Sequence, residues 1–268
     1  MGFNSKIEWT THTFNPWWGC TKVSDGCKFC YAELLSTRYG HDVWGVGKQR
    51  RLLSENHWRE PLKWNTWAER DGNRSRVFCA SMADVFEEGA PAGELDRLWH
   101  LIRQTPMLDW QILTKRPERI RENLPSDWAN GYTNVWLGTS VEDHRVIDRI
   151  EHLINVPAMV HFLSVEPLIG PLPNLPLRDI EWVIVGGESG PGARALEEEW
   201  VLEIRDQCVS SHVAFFFKQW GGVRKQQNGR ALQGHFYNEM PELNLHSKLN
   251  ERNNVKQLAG RQRQRRAA

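Results

Sequence analysis

The sequence predicts an α/β fold in a single domain, organised as a complete or partial (β/α) barrel of the TIM-like kind. Two observations predict it: short apolar runs alternate with helical patterns, and polar residues follow nearly every run. Alternating strands and helices with right-handed crossovers form either a doubly wound sheet or a barrel. The polar residues favour the barrel, because the loops after its strands build one shared active-site face.

Seven runs rich in β-branched and aromatic residues are the predicted strands. They are Ile7–Thr10, Val77–Ser81, Trp110–Thr114, Val135–Thr139, Val160–Val165, Trp182–Gly186 and Val213–Phe217. From the second run onward, successive starts lie 22 to 33 residues apart, which is the length of a strand with its helix. Continuously apolar strands are typical of a parallel sheet that is covered on both faces.

Helical periodicity fills the gaps between these strands. Apolar residues recur on one face of residues 94–104, and again over residues 146–154 after Asp143. A third segment, residues 200–208, follows a run of glutamates, and carboxylates near a helix start interact favourably with the helix dipole. The predicted order along most of the chain is therefore strand, helix, strand.

Length and composition agree with one large globular domain. The chain has 268 residues, of which 40% are hydrophobic and 25% charged, and these values are typical of ordered proteins. No apolar run approaches the roughly 20 residues that span a bilayer, and the N-terminus lacks the features of a secretory signal. These observations predict a cytoplasmic protein with no membrane partner.

Charge is unevenly distributed, although the net charge is only +1. Residues 248–268 carry seven basic side chains and one acid, Glu251, so they are predicted to be a flexible basic tail after a domain at residues 1–247. A tail of this charge can neutralise phosphates along DNA or RNA. The alternative is a solvated end without a partner.

Cys20, Cys27 and Cys30 lie close together in the sequence and predict a metal centre. A secreted disulfide scaffold is short and dense in cysteine, whereas this long chain has only five. Three thiolates on one glycine-containing loop can hold a cubane iron–sulfur cluster and leave one iron open. Zinc is the alternative, and a structural zinc site would need a fourth ligand such as His12 or His41.

The segment Cys27-Lys28-Phe29-Cys30 resembles the end of the radical-SAM cysteine motif, C-x-aromatic-C, which follows the first strand of a (β/α) barrel. The resemblance implies a [4Fe-4S] cluster on Cys20, Cys27 and Cys30, whose open iron chelates S-adenosylmethionine, with Phe29 near the adenine. The spacing here is C-x6-C-x2-C, whereas C-x3-C-x2-C is the commonest spacing in that superfamily.

Nearly the whole chain also resembles a phage- and prophage-borne three-cysteine-motif family of unassigned function. The matching stretches span roughly residues 6–222 and read KIEWTTHTFNPWWGC, FCASMADVF, QILTKRPERI, VWLGTSVED, SVEPLIGPL, VIVGGESGPGAR and FFFKQWGG. Radical-SAM chemistry is itself an inference in that family, so the resemblance supplies a family but no established activity.

A Gly-Gly-Glu motif in the radical-SAM superfamily meets the amine of the methionine and usually follows the second strand. Here Gly186-Gly187-Glu188 follows the sixth predicted strand, and the second strand ends in Ser81 with Asp84 shortly after. Two interpretations stay open. In one, the segment from Ser81 to Asp84 takes this role. In the other, the similarity of Gly186-Gly187-Glu188 to the motif is accidental, and Gly186 and Gly187 form a tight turn.

Polar residues at the strand ends supply the remaining candidates. The cofactor-binding candidates are Phe29, Ser81, Asp84, Lys115, Arg116, Ser140, Glu142, Gly186 and Gly187, and the catalytic candidates are Glu166, Glu188 and Lys218. Cations suit a carboxylate or a phosphate, and carboxylates suit an ammonium group or acid–base chemistry. The alternative for each charged residue is a salt bridge at the barrel rim.

The predicted function is a radical-SAM-type enzyme that cleaves S-adenosylmethionine reductively. Such an enzyme needs an electron donor such as flavodoxin or ferredoxin. The basic tail favours nucleic-acid modification or repair, and a small molecule or peptide is the competing substrate class. A third function is a binding module for nucleic acid or protein, in which an iron–sulfur cluster or zinc is only structural.

Overall fold

A parallel sheet forms the centre of the fold. The computed structural model describes residues 2–242, so the predicted basic tail at residues 248–268 lies outside the described residues. The strands are β1 (His12–Phe14), β2 (Trp17–Trp18), β3 (Arg51–Leu52), β4 (Ser75–Cys79), β5 (Leu108–Thr114), β6 (Val135–Ser140), β7 (Val160–Val165), β8 (Trp182–Gly186) and β9 (Ala214–Gln219). The helices are α1 (Tyr31–Arg38), α2 (Glu55–Asp71), α3 (Glu94–Gln104), α4 (Arg149–Ile154), α5 (Glu198–Ser210) and α6 (Lys225–Asn228).

The strand order identifies the sheet as a partial barrel. Seven parallel strands follow one another as β1-β4-β5-β6-β7-β8-β9, and β2 pairs with β3 in a small antiparallel ribbon outside this sheet. The order runs in one direction without the reversal of a doubly wound sheet. The sheet is curled and open, since β1 and β9 are its two edges. This confirms the predicted single-domain α/β class.

Two hydrophobic clusters cover the two faces of the sheet. The larger one packs strand residues such as Val183 and Val185 against the helices. The smaller one is built from alternating strand residues, among them Phe162, Trp182 and Phe216, and contains no helical residue. A face that buries its own aromatic rings in this way is the inside of the curl. Because successive residues face opposite clusters, a strand such as β8 is apolar throughout.

The first predicted strand, Ile7–Thr10, is wrong. The chain turns at Glu8 and Trp9, and β1 begins only at His12. Trp9 is 2% exposed and packs into the inner cluster, with its ring centroid 4.7 Å from Phe78 and 5.9 Å from Trp182. The apolar character of the run Ile7–Thr10 therefore reflects burial of the Trp9 ring in the smaller hydrophobic cluster and not a strand. The other six predicted runs overlap β4 to β9.

The helices place the loops that follow the strands. α3 matches its prediction, α5 extends it by two residues at each end, and α4 is preceded by a separate 3-10 turn at His144–Val146. α2 was not predicted; Ser54 caps its start by accepting a hydrogen bond from the His57 amide, and Gly72 ends it in a left-handed conformation. Within the described residues, no helix is both long and apolar enough to cross a membrane.

The terminal segments of the described chain cover both edges of the sheet. Beside β1, the Thr13 amide donates to the Gly2 carbonyl at 3.1 Å and the Ser5 amide donates to the Thr11 carbonyl at 2.8 Å. Beside β9, the Phe217 amide donates to the Tyr237 carbonyl at 3.1 Å. Backbone groups at the edges therefore find partners within the chain.

Candidate metal and cofactor site

The cysteine loop, residues 20–30, lies at the carboxyl ends of the parallel strands. Cys20 follows β2, Cys27 ends the 3-10 turn Asp25–Cys27, and Cys30 is the N-cap residue of α1. All three thiols are free and partly exposed. Because parallel strands end at the same edge, the polar residues after β4 to β8 reach the same region. The structure thus brings the predicted residues together in one place.

Cys20 is held by the backbone on both sides. The Gly19 amide donates to the Met82 carbonyl at 3.0 Å, and the Gly45 amide donates to the Cys20 carbonyl at 2.9 Å. Burial, with the negative charges of nearby acids, raises the pKa of the Cys20 thiol to about 12, although Arg116 opposes this shift. Cys20 is therefore a neutral thiol at neutral pH.

Cys30 and Cys27 lie near each other on the second half of the loop. Burial raises the pKa of Cys30, and the repulsion of Cys27 adds to this. The amides of Ala32 and Glu33 at the start of α1 act in the opposite direction, since they donate toward the sulfur. Binding of a metal to these thiols would displace their protons.

Arg50 and Glu87 form a buried ion pair beneath Thr21, the residue after Cys20. Arg50 Nε lies 2.8 Å from Glu87 Oε1, and the two side chains are 2% and 1% exposed. The Thr21 amide donates to Glu87 at 3.1 Å, and Arg50 donates to the Thr21 hydroxyl at 2.9 Å. This pair fixes the start of the cysteine loop. Neither residue was predicted.

Asp84 and Arg116, both predicted to bind cofactor, form a second buried pair. Arg116 Nη1 lies 3.0 Å from Asp84 Oδ2 and 3.8 Å from Cys20 Sγ, while Nη2 donates to the Thr21 carbonyl at 2.6 Å. Asp84 also accepts from the Thr114 hydroxyl at 2.7 Å and from the Lys115 amide at 2.9 Å. Asp84 thus orients Arg116 against Cys20, and its oxygens are occupied.

Glu142 is the centre of a third group, under the middle of the loop. Its carboxylate is 1% exposed and accepts from Lys115 Nζ at 2.6 Å, Arg149 Nη1 at 2.9 Å and the Ser24 hydroxyl at 2.9 Å. Burial alone would raise the pKa of Glu142, but attraction to Lys115 and Arg149 outweighs it, and the pKa lies below its usual range. A side chain at Gly26 would collide with this carboxylate, because an ideal Cβ lies 2.3 Å from Glu142 Cγ.

Glu188 pairs with Arg194 on the other side of the loop. Arg194 Nη2 lies 2.7 Å from Glu188 Oε1, and Nε lies 2.9 Å from Oε2. The same guanidinium donates to the Asp25 carbonyl at 2.9 Å and lies 5.6 Å from the centroid of the Phe29 ring. Arg194, which was not predicted, therefore links Glu188 to the cysteine loop.

Glu166 and Lys218 face each other inside the mouth of the barrel. Lys218 Nζ lies 2.6 Å from Glu166 Oε1, and the side chains are 14% and 19% exposed. Gly186 lies beside the pair, since an ideal Cβ would lie 3.4 Å from Glu166 and 3.5 Å from Lys218. Desolvation, with the charges of Cys30 and Glu166, raises the pKa of the Tyr31 phenol. The Tyr31 phenol thus lies within electrostatic range of both Cys30 and Glu166.

The remaining predicted residues have structural contacts. Ser81 bonds to the Asn15 side chain at 3.1 Å, and its carbonyl accepts from the Tyr31 hydroxyl at 2.8 Å. The Ser140 carbonyl accepts from Arg149 at 2.9 Å. Gly187 lies close to the backbone after β9, since an ideal Cβ would lie 2.0 Å from the Trp220 carbonyl oxygen. This close approach requires a glycine at position 187.

The two histidines proposed as zinc ligands have other surroundings. His12 stacks between Phe3 and Trp64, with centroid distances of 5.3 and 4.6 Å, and its ring lies in the core against α2. His41 packs against Trp18 at 5.8 Å. Across residues 2–242, no three side chains of His, Cys, Asp or Glu are already arranged to hold a metal ion.

The donor set nevertheless has the chemistry of a cluster ligand. Three free thiols lie on one loop whose ends and middle are fixed by buried ion pairs, and the raised pKa values of Cys20 and Cys30 mean that a metal would have to displace their protons. Cys20 comes from one fixed end of the loop, and Cys27 and Cys30 from the other. Three cysteines are the number of protein ligands that a cubane cluster with one open iron requires.

Comparison with known proteins identifies a family and a similar fold. The family model described as DUF5131, protein of unknown function, matches residues 4–241. No curated protein sequence matches this chain. Among solved structures, a spore photoproduct lyase with bound AdoMet and dinucleoside spore photoproduct has a TM-score of 0.46 and 12% identity over 69% of this chain. A second spore photoproduct lyase structure has a TM-score of 0.48, 14% identity and 70% coverage.

The chain spans about 60% of the length of these lyases. The likeness is one of overall fold, and nothing about ligand or activity follows from it.

Proposed function

The chain belongs to the DUF5131 family, whose function is unknown, and for this member we propose a radical-SAM-type enzyme with its cluster on Cys20, Cys27 and Cys30. The observation that carries the proposal is the position of three free, partly exposed thiols on one braced loop at the carboxyl edge of a partial barrel. A [4Fe-4S] cluster bound there would supply an electron for the reductive cleavage of S-adenosylmethionine.

The ion pair in the barrel mouth suits the amino-acid end of S-adenosylmethionine. An α-amino acid carries an ammonium and a carboxylate, and Glu166 and Lys218 present the two complementary charges 2.6 Å apart. Each would exchange its partner for one end of the ligand, so that no charge is left unpaired. Gly186 leaves the space beside the pair free of a side chain.

The buried pairs around the loop suit a positioning role. Asp84, Arg116, Glu142 and Glu188 have their polar atoms occupied by protein partners that also contact the loop. We therefore assign them to holding the loop rather than to contacts with ligand, and keep Phe29 as the ring against which an adenine would stack. Ser81, Ser140 and Gly187 are assigned to the scaffold.

The proposed substrate is a nucleic acid, and the proposed electron donor is a flavodoxin or ferredoxin. Positive charge supports the substrate class: seven basic residues lie in residues 248–268, outside the described part of the chain. Phosphate neutralisation by such a segment is independent of sequence. The reacting group would be selected in the barrel mouth.

The first experiment is anaerobic reconstitution with iron and sulfide, followed by metal analysis and electron paramagnetic resonance with and without S-adenosylmethionine. We expect about four irons per chain and a spectrum that changes with the cofactor. Cys27→Ser should lose the cluster, whereas Cys208→Ser, which changes a buried cysteine on α5, should keep it. Glu166→Gln should keep the cluster and weaken the response to the cofactor.

Zinc without iron, or a cluster that does not respond to S-adenosylmethionine, would contradict the radical mechanism. That result would favour the alternative, a metal-binding module that contacts nucleic acid or protein without this chemistry. A cluster retained in Cys27→Ser would contradict the ligand set itself.

A further inference from the structure

A partly exposed group of aromatic and basic side chains lies directly beside the cysteine loop. It consists of Trp18 on β2, Arg51 on β3, Arg38 at the end of α1, and Tyr39 and His41 after this helix, and we call it the aromatic platform. Trp18 precedes Cys20 by two residues, and the Gly45 amide in the segment between His41 and Arg51 donates to the Cys20 carbonyl at 2.9 Å. The platform is therefore continuous with the predicted metal centre.

The rings of the platform gather around Trp18. The Arg51 guanidinium lies over the Trp18 ring at 4.8 Å, the Tyr39 ring lies at 6.2 Å, and the His41 ring meets it edge-on at 5.8 Å. Tyr39 is 62% exposed, whereas Trp17, which precedes Trp18, is completely buried in the larger hydrophobic cluster. Core packing therefore explains why position 17 is a tryptophan. It does not explain the aromatic residue at position 39, because much of Tyr39 is in contact with water.

The cations of the platform are uncompensated. Within residues 2–242, Arg51 and the exposed Arg38 at the end of α1 form no ion pair or side-chain hydrogen bond. The two acids between residues 31 and 51 have partners of their own, since Asp42 pairs with Lys48 and Glu33 pairs with Lys22. Two unpaired guanidiniums beside exposed rings match a ligand that has both anionic groups and flat faces.

We propose that the aromatic platform binds single-stranded nucleic acid next to the cysteine loop. A base stacks on Tyr39 at the edge of Trp18, and the flanking phosphates contact Arg38 and Arg51. Single strands fit better than a duplex, because the faces of paired bases are already stacked on their neighbours. The proposal deepens the nucleic-acid part of the proposed function, but it requires neither a cluster nor S-adenosylmethionine.

The test measures binding of the full-length protein, without a cluster, to labelled 15-nucleotide oligomers by fluorescence anisotropy. Single-stranded DNA, single-stranded RNA and a DNA duplex are compared. We expect Tyr39→Ala to weaken single-strand binding at least about fivefold, since stacking of one base is worth about 1–3 kcal/mol. Tyr39→Phe keeps the ring and should bind like the unmodified chain.

Phe236→Ala is the matched control. Phe236 is 64% exposed and lies 5.8 Å from the Arg230 guanidinium, so it is an aromatic–arginine pair of the same kind beside β9. Its removal should change the affinity less than twofold. Arg51→Gln should reduce the slope of log affinity against log salt by about 0.7, as expected for one lost phosphate contact on a single strand.

The three oligomers separate the ligand classes. Preference for DNA or for RNA identifies which single strand the platform accepts, and either preference supports the proposal if Tyr39→Ala abolishes it. Equal losses in Tyr39→Ala and Phe236→Ala, unchanged binding in Tyr39→Ala, or tighter binding to the duplex would overturn it. Because the binding assay uses protein without a cluster, a negative result would not contradict the radical-SAM proposal, which is tested by the reconstitution experiment.

Discussion

Glu142→Gln tests whether one buried carboxylate holds the cysteine loop in place. The substitution keeps the size of the side chain but removes a charge that Lys115 and Arg149 contact at 2.6 and 2.9 Å. The Glu142 and Arg149 side chains are only 1% and 9% exposed, so water replaces the lost charge poorly at Arg149, whereas Lys115 is 21% exposed. A hydrogen bond to a charged group contributes about 1.5–3 kcal/mol, and breaking a buried ion pair costs about 3–5 kcal/mol.

We therefore expect Glu142→Gln to lower the free energy of unfolding by about 3–5 kcal/mol, measured by urea denaturation. Amide hydrogen exchange should also become faster in residues 24–28, because the Ser24 hydroxyl loses its charged acceptor. Cluster loading should fall together with this protection.

Glu33→Gln is the control for charge alone. Glu33 pairs with Lys22 at 2.6 Å, yet these side chains are 31% and 43% exposed, so the loss should stay below about 1 kcal/mol. If Glu142→Gln costs no more than this control, or if exchange in residues 24–28 is unchanged, the loop is held by other contacts and the assignment of Glu142 as a positioning residue fails.

Two further predictions concern a histidine and a glycine. Burial lowers the pKa of His12 from 6.5 to about 4. The neutral His12 side chain therefore contributes fully to the free energy of unfolding above pH 6.5, and this contribution is lost as the pH falls to about 4. His12→Phe should therefore flatten the pH dependence of unfolding between these values by up to about 3 kcal/mol, and an unchanged profile would disprove the assignment. Gly26→Ala should cost about 1–3 kcal/mol in urea denaturation, because its Cβ would lie 2.4 Å from Glu142 Oε1. Gly170→Ala, whose nearest contact is 3.2 Å, should cost less, and equal costs would mean that Glu142 moves away freely.

Six of the seven strands of the sheet were predictable because both of their faces are buried. In β8, Trp182 and Ile184 face the inner cluster while Val183 and Val185 face the helices, so the whole run is apolar. Ile7–Thr10 has a similar composition, and only the three-dimensional contacts of Trp9 distinguish it from a strand.

Helix α2 escaped prediction for a related reason. Its buried face includes Trp58 and Trp64, and between them polar residues and Pro61 obscure the helical period. The periodic signal in α3 is denser, since Leu98, Trp99, Leu101 and Ile102 are all buried there.

The sequence predicted where the candidate site lies, but it did not predict which of its side chains form ion pairs with each other. Strand ends placed Lys115 and Glu142 at one edge, and their contact follows from the adjacency of β5 and β6. Arg149 and Arg194 reach the site from a helix and from a distant loop, and no local pattern distinguishes them from surface arginines. Gly26 carried a usable signal, because a glycine beside a predicted ligand such as Cys27 can mark a close approach of the backbone.

The covered edges of the sheet have a consequence for the behaviour of shortened forms of this protein. Gly2 and Ser5 occupy the free side of β1, and Tyr237 and Glu239 occupy the free side of β9. An uncovered edge strand offers its unpaired amides and carbonyls to another chain and so promotes aggregation. Trimming either segment would uncover one edge and favour polymerisation from that side. Two segments more than two hundred residues apart in sequence thus both protect the sheet edges from pairing with strands of other molecules.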